Sequence, residues 1–472
     1  MNSSRIAQRF LSLAWRASFL LCAFFTLVAC GNRSSSLLST TTTHAVRKSV
    51  IPRGKIQHVV IIIQENRTPD GLFQGLPGAD IASTGRNSSG QLIPLAPIAL
   101  SVHYDIGHTH PDFLKMYDNG KMDGADREAV TCVPGSNGCP LNPQFKYVTA
   151  SEVTPYLQLA GQYTFADRMF QTNQGPSFPA HQFLISGTSA PTATAHRFAA
   201  ENPGGVTGAF FYTGCVAPAG ETVALIDPYG HYWFQYPCFE HQTLLDLLSA
   251  NNVTWRYYTP SAGVIWTAPN AIQHLCVPDP TGTYCSGPAW AVNFGGDVML
   301  WPPQILTNIA NGKLRDVSWV IPSGQNSDHA QMNDGGGPSW VASIVNAIGN
   351  SPYWSNTAIF ITWDDWGGWY DHVAPQIINS YEYGFRVPLI VVSPYAKPCY
   401  VSHVNHDFGS ILKFIEEVYN LPSLGYADAN ADDLSDCFNF TQGSAAFRSI
   451  KAPYDAAYFI NDKRTATDPD DD

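Results

Sequence analysis

The chain has 472 residues, 44% of them hydrophobic and only 14% charged, which is enough apolar material for a large buried core and excludes a disordered chain. A formal net charge of -12 and the lack of any basic stripe argue against nucleic acid as a partner, because an acidic surface repels polyanions at long range.

In chain order, residues 1–29 read as an export signal. Arg5, Arg9 and Arg16 precede an apolar run from Phe19 to Ala29, too short for a comfortable membrane span. The run ends Leu27-Val28-Ala29-Cys30, which resembles the lipobox of bacterial lipoproteins and predicts cleavage before a lipidated Cys30. Losing three arginines and no acids moves the net charge from -12 to -15. Residues 30–54 are rich in Ser and Thr and suit a tether between a lipid anchor in a membrane and a folded body. Residues 55–460 then form one large domain, and 461–472 an acidic solvated tail. The expected protein is an exported bacterial lipoprotein facing the periplasm or the cell exterior. Without Cys22 and Cys30 an even set of eight cysteines remains for an oxidising compartment; Cys132 with Cys139 and Cys276 with Cys285 are the sequence-near pairs, and Cys215, Cys238, Cys399 and Cys437 stay open.

Four short apolar runs predict strands buried on both faces: His58–Gln64, Val317–Ile321, Ala358–Trp363 and Val387–Val392. Helical spacing over Trp340–Ile348 and Ile411–Tyr419 separates and follows them. Together they predict an α/β fold, a three-layer α/β/α sandwich with a mostly parallel central sheet.

Two of these strands run straight into polar pairs, Glu65-Asn66 and Asp364-Asp365, at the carboxyl ends where open α/β sheets bind ligands. Three carboxylates and an amide oxygen form a hard donor set suited to one divalent cation, Mg²⁺, Ca²⁺ or Mn²⁺, with Zn²⁺ compatible by ligand type. Gly175-Pro-Ser-Phe-Pro179 leads into a helix, and Pro179 at the first helical position would make Phe178 the cap and turn the Ser177 hydroxyl outward. A helix N-terminus stabilises anions such as a phosphoryl group. Asp328-His329 follows the strand that ends at Ile321, near the same edge of the sheet; an imidazole there binds metal or phosphate oxygen or moves a proton.

Read in order, Gln64-Glu-Asn-Arg-Thr-Pro-Asp70, Asp105-Ile-Gly-His108, Gly175–Pro179, Ser327-Asp-His329, Thr362-Trp-Asp-Asp365, Gly367-Gly368, Asp371-His-Val373 and Arg386-Val-Pro388 resemble the phosphoesterase family of bacterial and plant non-specific phospholipases C and related bacterial acid phosphatases. The resemblance implies an alkaline-phosphatase-like fold and a metal-assisted hydroxyl nucleophile. Carried onto this chain it makes Glu65, Asn66, Asp364 and Asp365 metal ligands and Ser177 the nucleophile, passing through a phosphoseryl intermediate. His108 and His329 would contact phosphoryl oxygens or act as acid, with His274 a further candidate for phosphate contact. Thr68-Pro69, Asp365 and Ala180-His181 depart from the phospholipase pattern, so a small-molecule and a lipid phosphoester are both expected substrates. Three rival readings are a sulfatase, which Ser177 and Pro179 fit but His181 does not, a non-catalytic surface lipoprotein binding through exposed aromatics, and a metal-independent esterase using Ser177 with a histidine.

Overall fold

The computed structural model describes residues 51–133, 138–206, 212–290 and 296–462. The export signal, Cys30, most of the tether and all but two residues of the acidic tail lie outside the described residues. Five consecutive β-branched residues, Val59 to Ile63, restrict their own χ1 angles and favour extended chain; His58–Gln64 is strand β1, with the bounds expected of it. In chain order there follow β2 (Thr164–Ala166), β3 (Phe198–Ala199), β4 (Val223–Ile226), β5 (Tyr232–Gln235), β6 (Trp255–Tyr258), β7 (Val298–Met299), β8 (Val317–Val320), β9 (Thr357–Trp363), β10 (Leu389–Val392) and β11 (Tyr400–Ser402).

Eight of them make the central sheet in the order β7-β6-β8-β1-β9-β10-β2-β11. β1 lies at its middle, parallel to β8 through Ile61↔Trp319 and to β9 through Gln64↔Trp363. One expected strand runs the other way. β10 is antiparallel to both β9 and β2, and starts at Leu389 because Pro388 has no N–H to give a ladder. Its unbroken apolarity reported two covered faces, which do not fix strand direction.

The main helices are α1 (Thr154–Gln162), α2 (Ser177–Ser186), α3 (Leu244–Ala250), α4 (Gln304–Ala310), α5 (Gly337–Gly349) and α6 (Phe408–Tyr419). Phe360 and Trp363, three apart on β9, point to opposite faces. Phe360 meets Phe414 of α6 edge-on at 5.0 Å, and Trp363 meets Tyr156 of α1 at 5.1 Å. Helices therefore cover both sides, giving the three-layer α/β/α arrangement read from the sequence. β3, β4 and β5 form a separate antiparallel sheet. Disulfides join Cys132 to Cys139 and Cys276 to Cys285, as expected, and also Cys215 to Cys238. Among the described residues, no helix is long and apolar enough to cross a membrane.

Candidate active site

The polar turns after β1 and β9 are laced to one another. Asp364 N donates to Gln64 O at 3.0 Å, Arg67 N to Asp365 O at 3.0 Å, and Asn66 N to the Asp364 carboxylate (Oδ1) at 3.0 Å. Asn66 adopts a left-handed φ of 61°, which Asn tolerates. The following turn of the other strand packs so closely that a Cβ on Gly367 would lie 2.6 Å from Asn66 O, so only glycine fits there.

With Oδ1 of Asp364 held by backbone, Oδ2 faces His181 Nε2 at 3.8 Å, and the same nitrogen lies 3.4 Å from Glu65 Oε1. All three side chains are buried. Tyr257 donates its hydroxyl proton to Trp266 O at 2.6 Å and sits 3.4 Å from His181 Nδ1, so Nδ1 is the nitrogen that donates and Nε2 turns a lone pair to the carboxylates. Burial pulls the His181 imidazole down to about 4, against the attraction of Asp364, and keeps it neutral. Among the described residues, Asn66 Oδ1, His181 Nε2 and Asp364 Oδ2 are buried without a hydrogen-bond partner. Buried polar atoms are seldom left so. Glu65, His181 and Asp364 offer ligand atoms within 4.8 Å of one another, a mixed oxygen and nitrogen donor set that fits a divalent cation.

Asp365, expected as a ligand, holds other groups: its Oδ1 accepts from Gly367 N at 2.7 Å and its Oδ2 from the Ser177 hydroxyl at 3.2 Å. Helix α2 starts at Ser177 with Pro176 as its cap, two residues before the expected start, and Pro179 falls at its third position. Proline is tolerated there because first-turn N–H groups have no partner within the helix. Asn202 Oδ1 accepts from Phe178 N at 2.9 Å. Ser177 is thus the first helical residue, at the electropositive end, and His181 lies one turn further on the same side.

His108 completes the ring. Its Nδ1–H donates to Ile106 O at 2.7 Å, and its Nε2 accepts from Asn66 Nδ2 at 3.0 Å and lies 4.0 Å from Asp365 Oδ2. His329 donates from Nδ1 to Ala330 O at 2.6 Å, with its ring centroid 6.1 Å from that of His108. Asp328, its neighbour, turns away to accept from Tyr156 Oη and Trp363 Nε1 at 3.0 Å each, and burial pushes it up to about 6 despite Arg67.

The structure does not bring His274 into this group. Its two ring nitrogens are engaged by Glu240 and Asp246 at 2.8 Å each on a half-exposed surface, so neither is available to a phosphoryl oxygen. The hydrogen bond it donates to Asp246, acting against burial, raises it to about 9. His181 is the imidazole of this group that sequence reasoning missed; its four-residue spacing from Ser177 on an expected helix was the available signal.

A second acidic group lies further along the same two turns. Arg386, buried, donates from Nε and Nη2 to Asp371 at 2.9 Å each and from Nη2 to Asp70 at 3.3 Å. His372 bridges Asp70 at 2.8 Å and Asp80 at 3.1 Å.

The non-hemolytic phospholipase C of Pseudomonas aeruginosa is 23% identical over 82% of this chain and 57% of its own length. Phospholipase C B of Mycobacterium tuberculosis is 23% identical over 82% of this chain and 78% of that one. The chain thus spans little more than half of the Pseudomonas relative. Among solved structures, a protein in the alkaline phosphatase superfamily from Vibrio parahaemolyticus aligns over 82% of this chain and 73% of that chain, at 10% identity and a TM-score of 0.35. The model of the Phosphoesterase family matches residues 56–422, the span that carries both laced turns, the helix start at Ser177 and the imidazoles around them: the chain belongs to the Phosphoesterase family.

Proposed function

We propose that this chain is a metal-dependent hydrolase of phosphoric esters in which Ser177 is the nucleophile. The observation that carries the reading is the Ser177 hydroxyl donating to Asp365 Oδ2 at 3.2 Å, beside an acidic pocket formed by the preceding residue of the same turn. A divalent cation held by Glu65, Asp364 and His181, with Asn66 beside them, would supply Lewis-acid polarisation of a phosphoryl oxygen and ease deprotonation of the hydroxyl. Asp365 takes the hydroxyl proton as Oγ attacks phosphorus. The Oγ–P bond forms and the bond to the ester oxygen breaks, while the electropositive start of α2 stabilises the phosphoryl charge. His108, whose Nε2 lies 4.0 Å from Asp365 Oδ2, carries that proton from Asp365 to the leaving oxygen, and His329 stands beside it for the phosphoryl oxygens. Water then cleaves the phosphoserine and restores Ser177.

The names of the relatives favour a phospholipid-like diester as the substrate class. Three disulfides suit an oxidising compartment, which supports an exported protein. Ser177→Ala is expected to lower phosphodiester turnover at least about 10³-fold with the circular dichroism spectrum unchanged. Mass spectrometry after a rapid acid quench should find phosphate on Ser177 of the wild-type chain. Turnover within about tenfold of wild type would remove Ser177 from the role.

A further inference from the structure

A group of ligand-type side chains with a thiol among them lies outside the ring around Ser177. His406, Asp436 and Cys437 each offer one ligand atom, all within 4.8 Å of one another. His406 and Cys437 are buried, and Asp436 reaches the surface in part. The three disulfides leave Cys437 out, as a thiol sealed from solvent.

The contacts around the group turn electron pairs inward. Asp436 Oδ2 accepts from the Ser402 hydroxyl at 2.6 Å and from Tyr400 Oη at 3.3 Å, which leaves Oδ1 facing His406 Nε2 at 3.4 Å and Cys437 Sγ at 3.5 Å. Behind the ring, Asp432 Oδ1 lies 2.9 Å from His406 Nδ1 and is itself fixed by accepting from Leu434 N at 2.8 Å. A carboxylate in that place holds the imidazole proton on Nδ1 and turns the Nε2 lone pair inward. The other neighbour of Nε2, Ser402 Oγ at 3.1 Å, has given its proton to Asp436. Nitrogen and oxygen lone pairs therefore face each other, which calls for a cation between them: a second proton on the ring or a metal ion.

The distances and the sulfur favour the metal. A ring proton would be satisfied by the two oxygens and leaves the inward thiol unexplained. Bonds of about 2.0 Å from zinc to nitrogen or oxygen and about 2.3 Å to sulfur, at tetrahedral angles, set N and O about 3.3 Å apart and O and S about 3.5 Å apart. The observed separations are 3.4 and 3.5 Å. The neighbouring lysines are engaged elsewhere, Lys413 Nζ donating to Ala431 O at 2.6 Å and Lys397 Nζ lying 4.4 Å over the Tyr400 ring.

We propose that His406, Asp436 and Cys437 bind a zinc ion, with Asp432 orienting the imidazole and a water in the fourth position on the exposed side of Asp436. Thiolate and imidazole beside a carboxylate select zinc over magnesium or calcium, which take oxygen ligands. Binding breaks the Cys437 S–H bond and releases its proton to solvent. The ion clamps the segment 432–437 to His406, which pairs with Met169 on the chain leading to Ser177. Asp407, next in sequence, caps α6 and accepts from Thr172 Oγ1 at 3.2 Å, so the clamp holds that approach in place. None of its ligands belongs to the group around Ser177, and it stands whether or not the hydrolase reading does.

The test reads the thiolate directly. The full-length Asp364→Ala chain, with the other metal site disabled, is stripped with a chelator and reloaded with Co²⁺. A sulfur-to-cobalt charge-transfer band should appear in the near ultraviolet and bleach when Zn²⁺ is added. In that background Cys437→Ser should abolish the band, and Cys399→Ser should leave it. Asp436→Asn, which keeps the thiol and the side-chain volume, should weaken Co²⁺ binding at least about tenfold, and it decides the matter if Cys437→Ser does not fold. Absence of the band overturns the proposal and leaves a charged imidazole between two carboxylates. A band that survives Cys437→Ser, or undiminished affinity in Asp436→Asn, also overturns it. So does a fourth disulfide, from Cys437 to Cys399, found by peptide mass mapping of the intact chain.

Discussion

Two acidic clusters sit on the same pair of turns and differ in who supplies the positive charge. Glu65 and Asp364 face His181, a neutral imidazole whose lone pair points to them. Asp70 and Asp371, five and seven residues further along, close on the guanidinium of Arg386, with His372 alongside. Both groups offer three ligand-type atoms within metal-binding distance of each other. Proximity of carboxylates does not separate a metal site from an internal salt cage; the presence of a fixed side-chain cation among them does. The second cluster ties the turn after β1 to the chain after β9, holding in register the two turns that carry the first.

The comparison can be broken most directly at Asp364. Asp364→Ala should lower phosphodiester turnover at least about 10³-fold, roughly 4 kcal/mol, and reduce bound divalent metal measured by plasma mass spectrometry. Retained metal at parental stoichiometry would end the ligand assignment.

Arg386→Met should do the opposite, destabilising the fold by about 3 kcal/mol in urea unfolding because Asp70 and Asp371 keep their burial and lose their cation. If added metal restored that stability, the two clusters would be alike after all.

The smallest effect is at His372. Burial opposes its charge, but the hydrogen bond and attraction of Asp70, with Asp371 adding to them, raise it to about 9 against the repulsion of Arg386. A folded value above the unfolded one of about 6.5 gives stability that is complete below pH of about 6.5 and fades as pH rises through about 9. His372→Gln should flatten that part of the stability curve by about 1 kcal/mol after solvent screening. An unchanged slope between those limits would show that the imidazole is not charged there.

The sheet was legible in the sequence wherever burial was symmetrical, as in β1, because a strand covered on both faces must be apolar at every position. The direction of β10 was not, since polarity of the chain leaves no trace in hydrophobicity. The polar pairs at the strand ends were legible because they interrupt such runs abruptly. His181 was hidden for a different reason: it is a helical residue among Phe178, Ala180 and Phe183, and only the helix start at Ser177 sets which way it faces. The Cys215–Cys238 bond was hidden by the hairpin folded between its ends.

That bond has a practical consequence. It closes a segment of 23 residues around β4 and β5, a constraint worth about 3 kcal/mol against the unfolded segment. The laced turns at Asn66 and Asp364 depend on no cysteine. Protein made in a reducing cytosol would therefore be expected to keep the geometry around Ser177 while the β4–β5 hairpin frays, and any turnover that depends on Ser177 alone would be a poor guide to whether the molecule had matured.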